Sequence, residues 1–90
     1  MSAEPGGGWV FTPRARRDMR RLDRPVQQRI IEGLDRLVGD PPAGDVVRLA
    51  GPDDEWRLRV GDWRVRFTRD SSKRTVIVLR VLPRGRAYRD

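Results

Sequence analysis

The sequence contains no cysteine and no histidine. Without cysteine there is no disulfide framework, no thiol nucleophile and no thiolate metal site; without histidine there is no imidazole base and no common zinc ligand. Most hydrolase and metalloenzyme chemistries are excluded on that ground, and no cofactor is expected. Long apolar runs are missing too. The longest, Val76 to Leu79, has four residues, against the roughly 20 that a helix needs to cross a bilayer. The first eight residues have neither the charged nor the apolar region of a signal peptide. The expectation is a cytoplasmic protein without membrane contact. Lysine is almost absent as well: of 20 basic residues 19 are arginine and only Lys73 is lysine, against 13 acidic residues, for a net charge of +7.

That arginine excess is the most informative feature of the composition. The guanidinium fork binds phosphate bidentately and stacks on bases, so it suits nucleic acid. A GC-rich genome that encodes arginine wherever a cation will serve accounts equally well for the bias over lysine, but not for the net charge. Ninety residues make one domain, and a chain of this size buries only about 60–70% of its unfolded surface, so a partner that adds stability is a live expectation. Leu, Ile, Val and Phe supply 22 of the 90 residues, above the fraction of about 20% below which charge predicts disorder.

Residues 1–8 (MSAEPGGG) read as a flexible leader, and residues 9–90 as a single domain. The triple glycine lacks the preceding strand and the following Gly-Lys-Ser/Thr of a phosphate-binding loop. Trp9 to Phe11 form a short strand. Thr12 and Pro13 then signal a helix entry, and Ala15, Met19 and Leu22 follow at helical spacing, giving a helix over roughly residues 13–22. Asp23 and Pro25 repeat the signal, and Val26, Ile30, Leu34 and Leu37 keep one apolar face up to Gly39. Arg14, Arg16, Arg17, Arg20, Arg21 and Arg24 surround the first arm of this helical hairpin, as a solvated basic face or as a polyanion contact. Residues 39–55 form a loop around a short strand at Val46 to Leu49.

From Trp56 the period changes to two. Trp56, Leu58 and Val60 alternate with Arg57 and Arg59, and after Gly61-Asp62 the residues Trp63, Val65 and Phe67 alternate with Arg64 and Arg66. A two-residue turn places Val60 opposite Trp63, Leu58 opposite Val65 and Trp56 opposite Phe67 on one face. On the other, Arg59 meets Arg64 and Arg57 meets Arg66. Opposed like charges oppose folding, at about 1 kcal/mol or less per pair near water, so the patch is tolerable and does not by itself require a ligand. Acids fall at other turns and leave this face bare, which favours an anion there. Arg80, on the next strand (Thr75 to Leu82), extends the patch if it points the same way. The tryptophans fall on apolar phases and read as core. The basic tail Arg84, Arg86 and Arg89 surrounds Tyr88, the one aromatic kept for a base. The fold class is α+β: an N-terminal strand, a helical hairpin and an antiparallel meander of three or four strands, packed in two layers.

The run Trp56-Arg-Leu-Arg-Val-Gly-Asp-Trp-Arg-Val-Arg-Phe67, followed by Val78-Leu-Arg-Val-Leu-Pro-Arg-Gly-Arg-Ala-Tyr88, resembles the core of the RelE/ParE superfamily of bacterial toxins, and residues 9–37 fit the same pattern. The resemblance implies the toxin of a toxin–antitoxin pair. RelE-like members enter the ribosomal A site and cut mRNA without a metal, the 2′-hydroxyl attacking the adjacent phosphate. It also implies an acidic antitoxin as partner. Carried over by position, Arg57 and Arg59 match the basic pair of the first hairpin strand and Arg64 the phosphate-binding arginine of the second. Arg84 matches the arginine that assists the leaving oxygen, and Tyr88 the tyrosine that stacks on or orients the substrate. Arg66, Arg80, Arg86 and Arg89 are the expected RNA contacts around them. Pro83 stands where many relatives have histidine or lysine, and arginine is a poor general base or acid near neutrality. The alternatives are a ParE-like inhibitor of DNA gyrase and a basic RNA-binding domain without catalysis.

Overall fold

The computed structural model describes residues 8–52 and 54–85. The elements run β1 (Trp9–Phe11), α1 (Pro13–Arg20), α2 (Arg24–Leu37), β2 (Asp45–Arg48), β3 (Glu55–Val60), β4 (Trp63–Asp70) and β5 (Thr75–Pro83). The class is α+β, as the residue periods indicate. The strands form one five-stranded sheet in the order β1-β5-β4-β3-β2. It is mixed, because β1 lies parallel to β5 while β2 to β5 form an antiparallel meander. The N-terminal strand thus joins the far side of the last strand, a pairing that local spacing does not reveal.

The β3–β4 hairpin follows the alternation pair for pair, from Val60↔Trp63 and Arg59↔Arg64 to Trp56↔Phe67. Gly61 takes φ 58° at the first turn position, the conformation that glycine tolerates and a two-residue turn of matching twist requires. Leu58, Val65 and Phe67 then face the helices with Val76, Val78 and Val81 of β5. They meet Ala15, Met19, Ile30, Leu34 and Leu37 in one core. Residue Gly33 lies mid-α2 because a Cβ there would approach the Val60 side chain at 3.0 Å. The missing methyl lets the helix lie close on β3.

Each helix is fixed at its ends. Thr12 accepts a hydrogen bond from the Ala15 N–H at 3.1 Å, while its own backbone N–H donates to the Val78 carbonyl at 3.0 Å. The one residue between β1 and α1 therefore joins the strand's pairing to the helix cap. Asp23 occupies the N-cap of α2 in extended geometry without a side-chain cap bond, so Gln27 does the joining instead, donating to the Met19 carbonyl at 2.6 Å. Trp9 donates its indole N–H to Asp35 at 2.9 Å, tying β1 to α2.

Beyond β1, the edge of β5 would leave backbone groups bare. A register shift near Arg66 and Phe67 brings Val78 and Val81 both onto the core face, and α1 covers the strand there. Asp18 accepts the Val81 N–H at 2.9 Å and the Arg80 Nε at 2.9 Å, with both side chains largely buried. Removing this carboxylate leaves the buried Val81 N–H without its acceptor and takes an ion-pair partner from a largely buried guanidinium. Asp18→Ala is expected to lower unfolding free energy by about 2–4 kcal/mol in urea denaturation; a loss under about 0.5 kcal/mol would mean that water serves the edge equally well.

Candidate functional site

With both helices on one side, the other face of the sheet carries the odd-numbered residues of β3 and the even-numbered residues of β4. Arg57, Arg59 and Arg64 gather there beside the Gly61-Asp62 turn. Arg64 is held down: its Nη1 donates to the carbonyls of Gly61 at 3.0 Å and Trp63 at 3.1 Å. Only 8% of the residue is exposed, and its Nε is buried with no hydrogen-bond partner among the described residues. Leu82, opposite Arg64 in the register, is buried beside it. Arg84 is brought to the same end by its backbone N–H, which donates to the Asp62 carbonyl at 2.8 Å.

The electrostatics follow from this convergence. Burial is the largest influence lowering the pKa of Arg64, and Arg57, Arg59 and Arg84 add to it, with Asp62 acting the other way. The direction makes Arg64 a better hydrogen-bond donor; it keeps its charge at neutral pH. A guanidinium anchored through one nitrogen to two carbonyls, ringed by three further cations, is a preorganised seat for an anion with phosphate-like geometry. Among the described residues, no group of three or more acidic side chains is disposed to hold a metal ion. A cavity of about 610 Å³ lies elsewhere, between the end of α2 and the β4–β5 turn, lined by Leu37, Asp40, Arg69 and Arg74 among others.

The other expected contacts divide. Arg66 does not extend a bare patch: it pairs with Glu55, both side chains being some 15% exposed. Arg80 stands opposite Arg66 in the register, but its side chain is turned to Asp18 on α1. Nor is the face free of acids. Glu55 shares the parity of Arg57 and Arg59 and was legible in the alternation. Asp45 opposes Arg59 at 3.4 Å from neighbouring β2, a register that sequence spacing does not supply. Trp56 packs against the core and carries two cations over its ring, Arg69 at 5.2 Å and Arg48 at 6.0 Å from the centroid. Arg86, Tyr88 and Arg89 lie outside the described residues.

The fold agrees with what the comparisons find. A family model described as the ParE toxin of the type II toxin–antitoxin system parDE matches residues 10–88. The chain belongs to the RelE/ParE family, the toxins of type II toxin–antitoxin systems. Among solved structures it is similar to the toxin–antitoxin complex RelBE2 from Mycobacterium tuberculosis, at 26% identity and a TM-score of 0.76 over 88% of this chain and 99% of that one. It is likewise similar to the archaeal RelE–RelB complex from Pyrococcus horikoshii, at 25% identity and 0.73 over 92% and 99%. The isolated RelE toxin of E. coli shares the fold, at 20% identity and 0.72 over 89% and 86%. A comparison with curated proteins finds no match.

Two arginines of this face should separate experimentally. Arg66→Ala leaves Glu55 largely buried without its cation and is expected to lower stability by about 1–3 kcal/mol in chemical denaturation. Arg59→Ala breaks only an exposed pair and should stay within about 0.5 kcal/mol. Equal losses would show that the two pairs are equally solvated.

Proposed function

We propose that this toxin acts in the cytoplasm as a ribosome-dependent mRNA endoribonuclease, residues 9–90 serving as its single toxin domain. The observation that carries the reading is the anchored, largely buried Arg64 with Arg57, Arg59 and Arg84 around it. Cleavage by this route needs no external nucleophile. The RNA 2′-oxygen loses its proton and attacks the adjacent phosphorus, the bond to the 5′-oxygen breaks, and that oxygen takes up a proton. The products are a 2′,3′-cyclic phosphate and a 5′-hydroxyl. Negative charge grows on the phosphate oxygens as the bond forms, where fixed guanidinium groups stabilise it. Arg64 is the central donor in this assignment, Arg57 and Arg59 hold neighbouring phosphates, and Arg84 faces the leaving oxygen. Tyr88 is assigned to stacking on or orienting the base. Arginine remains protonated at neutral pH, so the proton is moved by another group of the toxin, the RNA or the ribosome.

The partner we assign is an acidic antitoxin that folds as it wraps the toxin, since a net charge of +7 is most directly neutralised by an acidic segment. A second reading has its own support: the matching family model is named for ParE, and a gyrase inhibitor on this fold needs no catalytic residue.

Induced expression tests both. Translation arrest with cuts inside the codons of translated messages is expected, and Arg64→Ala should slow cleavage by about a hundredfold or more. Intact messages with gyrase-linked DNA breaks would select the second reading.

A further inference from the structure

Helix α1 presents a second cationic surface, apart from the sheet face. Arg14, Arg16, Arg17 and Arg20 lie on it and Arg21 follows at its C-cap. At about 100° per residue they occupy a band of about 160° turned away from buried Ala15 and Met19. All five are exposed, and among the described residues none forms an ion pair. The helix's one acid, Asp18, is committed to Arg80 and the Val81 N–H.

Such a surface suits its helix at one end only: Arg17 and Arg20 lie in the last turn, where the dipole favours cations. No acid lies in the first turn, where the dipole favours one, and Arg14 sits near the positive end. Arg14 and Arg17, Arg17 and Arg20, Arg16 and Arg20, and Arg17 and Arg21 are like-charged neighbours at three or four residues. Folding accounts for cations at the C-terminal end of the helix but not for the whole band. Apart from Pro13, the band has no apolar side chain to form the dry centre that a protein interface uses, whereas forks alone suffice for a phosphate backbone. It also lies on the helix-covered side of the sheet, opposite Arg57, Arg59 and Arg64, in a molecule 24 Å across its shortest axis. One strand threaded through the sheet-face cluster does not reach α1, but a large folded RNA offers backbone to both.

We propose that α1 docks on the phosphate backbone of double-helical RNA, setting affinity for a large RNA target while the sheet-face cluster sets the chemistry. The proposal rests on the ribosomal reading for the kind of nucleic acid, but its test does not depend on cleavage.

The test compares the wild-type chain with a variant carrying Arg14→Gln, Arg16→Gln, Arg17→Gln, Arg20→Gln and Arg21→Gln, binding a short RNA hairpin at several salt concentrations. The expected result is at least tenfold weaker binding at about 0.1 M salt and a log–log salt slope shallower by about 3–4, with a melting temperature no lower than wild type. The five Arg→Lys changes should keep most of the slope. If the glutamine variant melts lower, the narrower set Arg14→Gln, Arg17→Gln and Arg21→Gln is scored instead, by a proportionate loss. Unchanged affinity and slope would overturn the proposal, as would an equal loss toward polyglutamate, which would make the band a general acid-peptide surface. Absence of mRNA cleavage by the wild-type chain, with hairpin binding still dependent on α1, would remove the ribonuclease reading and leave this one standing.

Discussion

Everything in this molecule is keyed to the register of the β3–β4 hairpin. Its turn is two residues, Gly61 and Asp62, and the pairing that follows sends Leu58, Val65 and Phe67 to one face and Arg57, Arg59, Arg64 and Arg66 to the other. A slip of one residue would exchange the faces, exposing the centre of the core and placing guanidinium groups beneath the helices. Desolvating a single unpaired cation costs several kcal/mol, so the slipped state is far from competitive. The helices pack on the face so defined, and the site is what remains on the other side. One period-two pattern therefore specifies both the core and the cationic surface, and neither can be altered freely without the other.

This is also why the hairpin was the most legible part of the sequence. Alternation and a glycine turn are local signals, and they named each facing pair correctly. The two helices were similarly legible from spacing and from Thr12, although Asp23 sits at the second N-cap without making the side-chain bond that its type suggests. What could not be read was tertiary. The parallel pairing of β1 with β5 joins segments some 67 residues apart. Asp18 finds Arg80 at a separation of 62 residues. Asp45 reaches Arg59 only because β2 pairs in that register. Glu55 was within reach of the same alternation argument that set out the arginines, and its pairing with Arg66 is the clearest case of a signal present but unused.

The arginines that composition makes look alike do different work once the chain is folded. Arg66 and Arg80 are held in largely buried ion pairs. Arg48 and Arg69 lie over Trp56, where a cation gains from the ring's electron density. Arg64 is bound to backbone carbonyls and kept among other cations. Net charge describes only the sum. The distribution decides function: a cation held in a largely buried pair with a carboxylate has little left to offer an anion, while one fixed by neutral carbonyls keeps its full charge and an established orientation.

The parallel β1–β5 pairing has a consequence for the order in which the molecule can form. The Gly8 carbonyl accepts from the Val76 N–H, and the Thr12 N–H donates to the Val78 carbonyl, so the first strand has no seat until the last has been made. At about 5–20 residues per second, synthesis of the intervening segment takes about 3–13 s. Throughout that interval α1 lacks the strand edge it caps, and the hairpin turn lacks Arg84, whose backbone ties to it. Closure of the sheet and completion of the site thus come together as a non-local step that waits for β5.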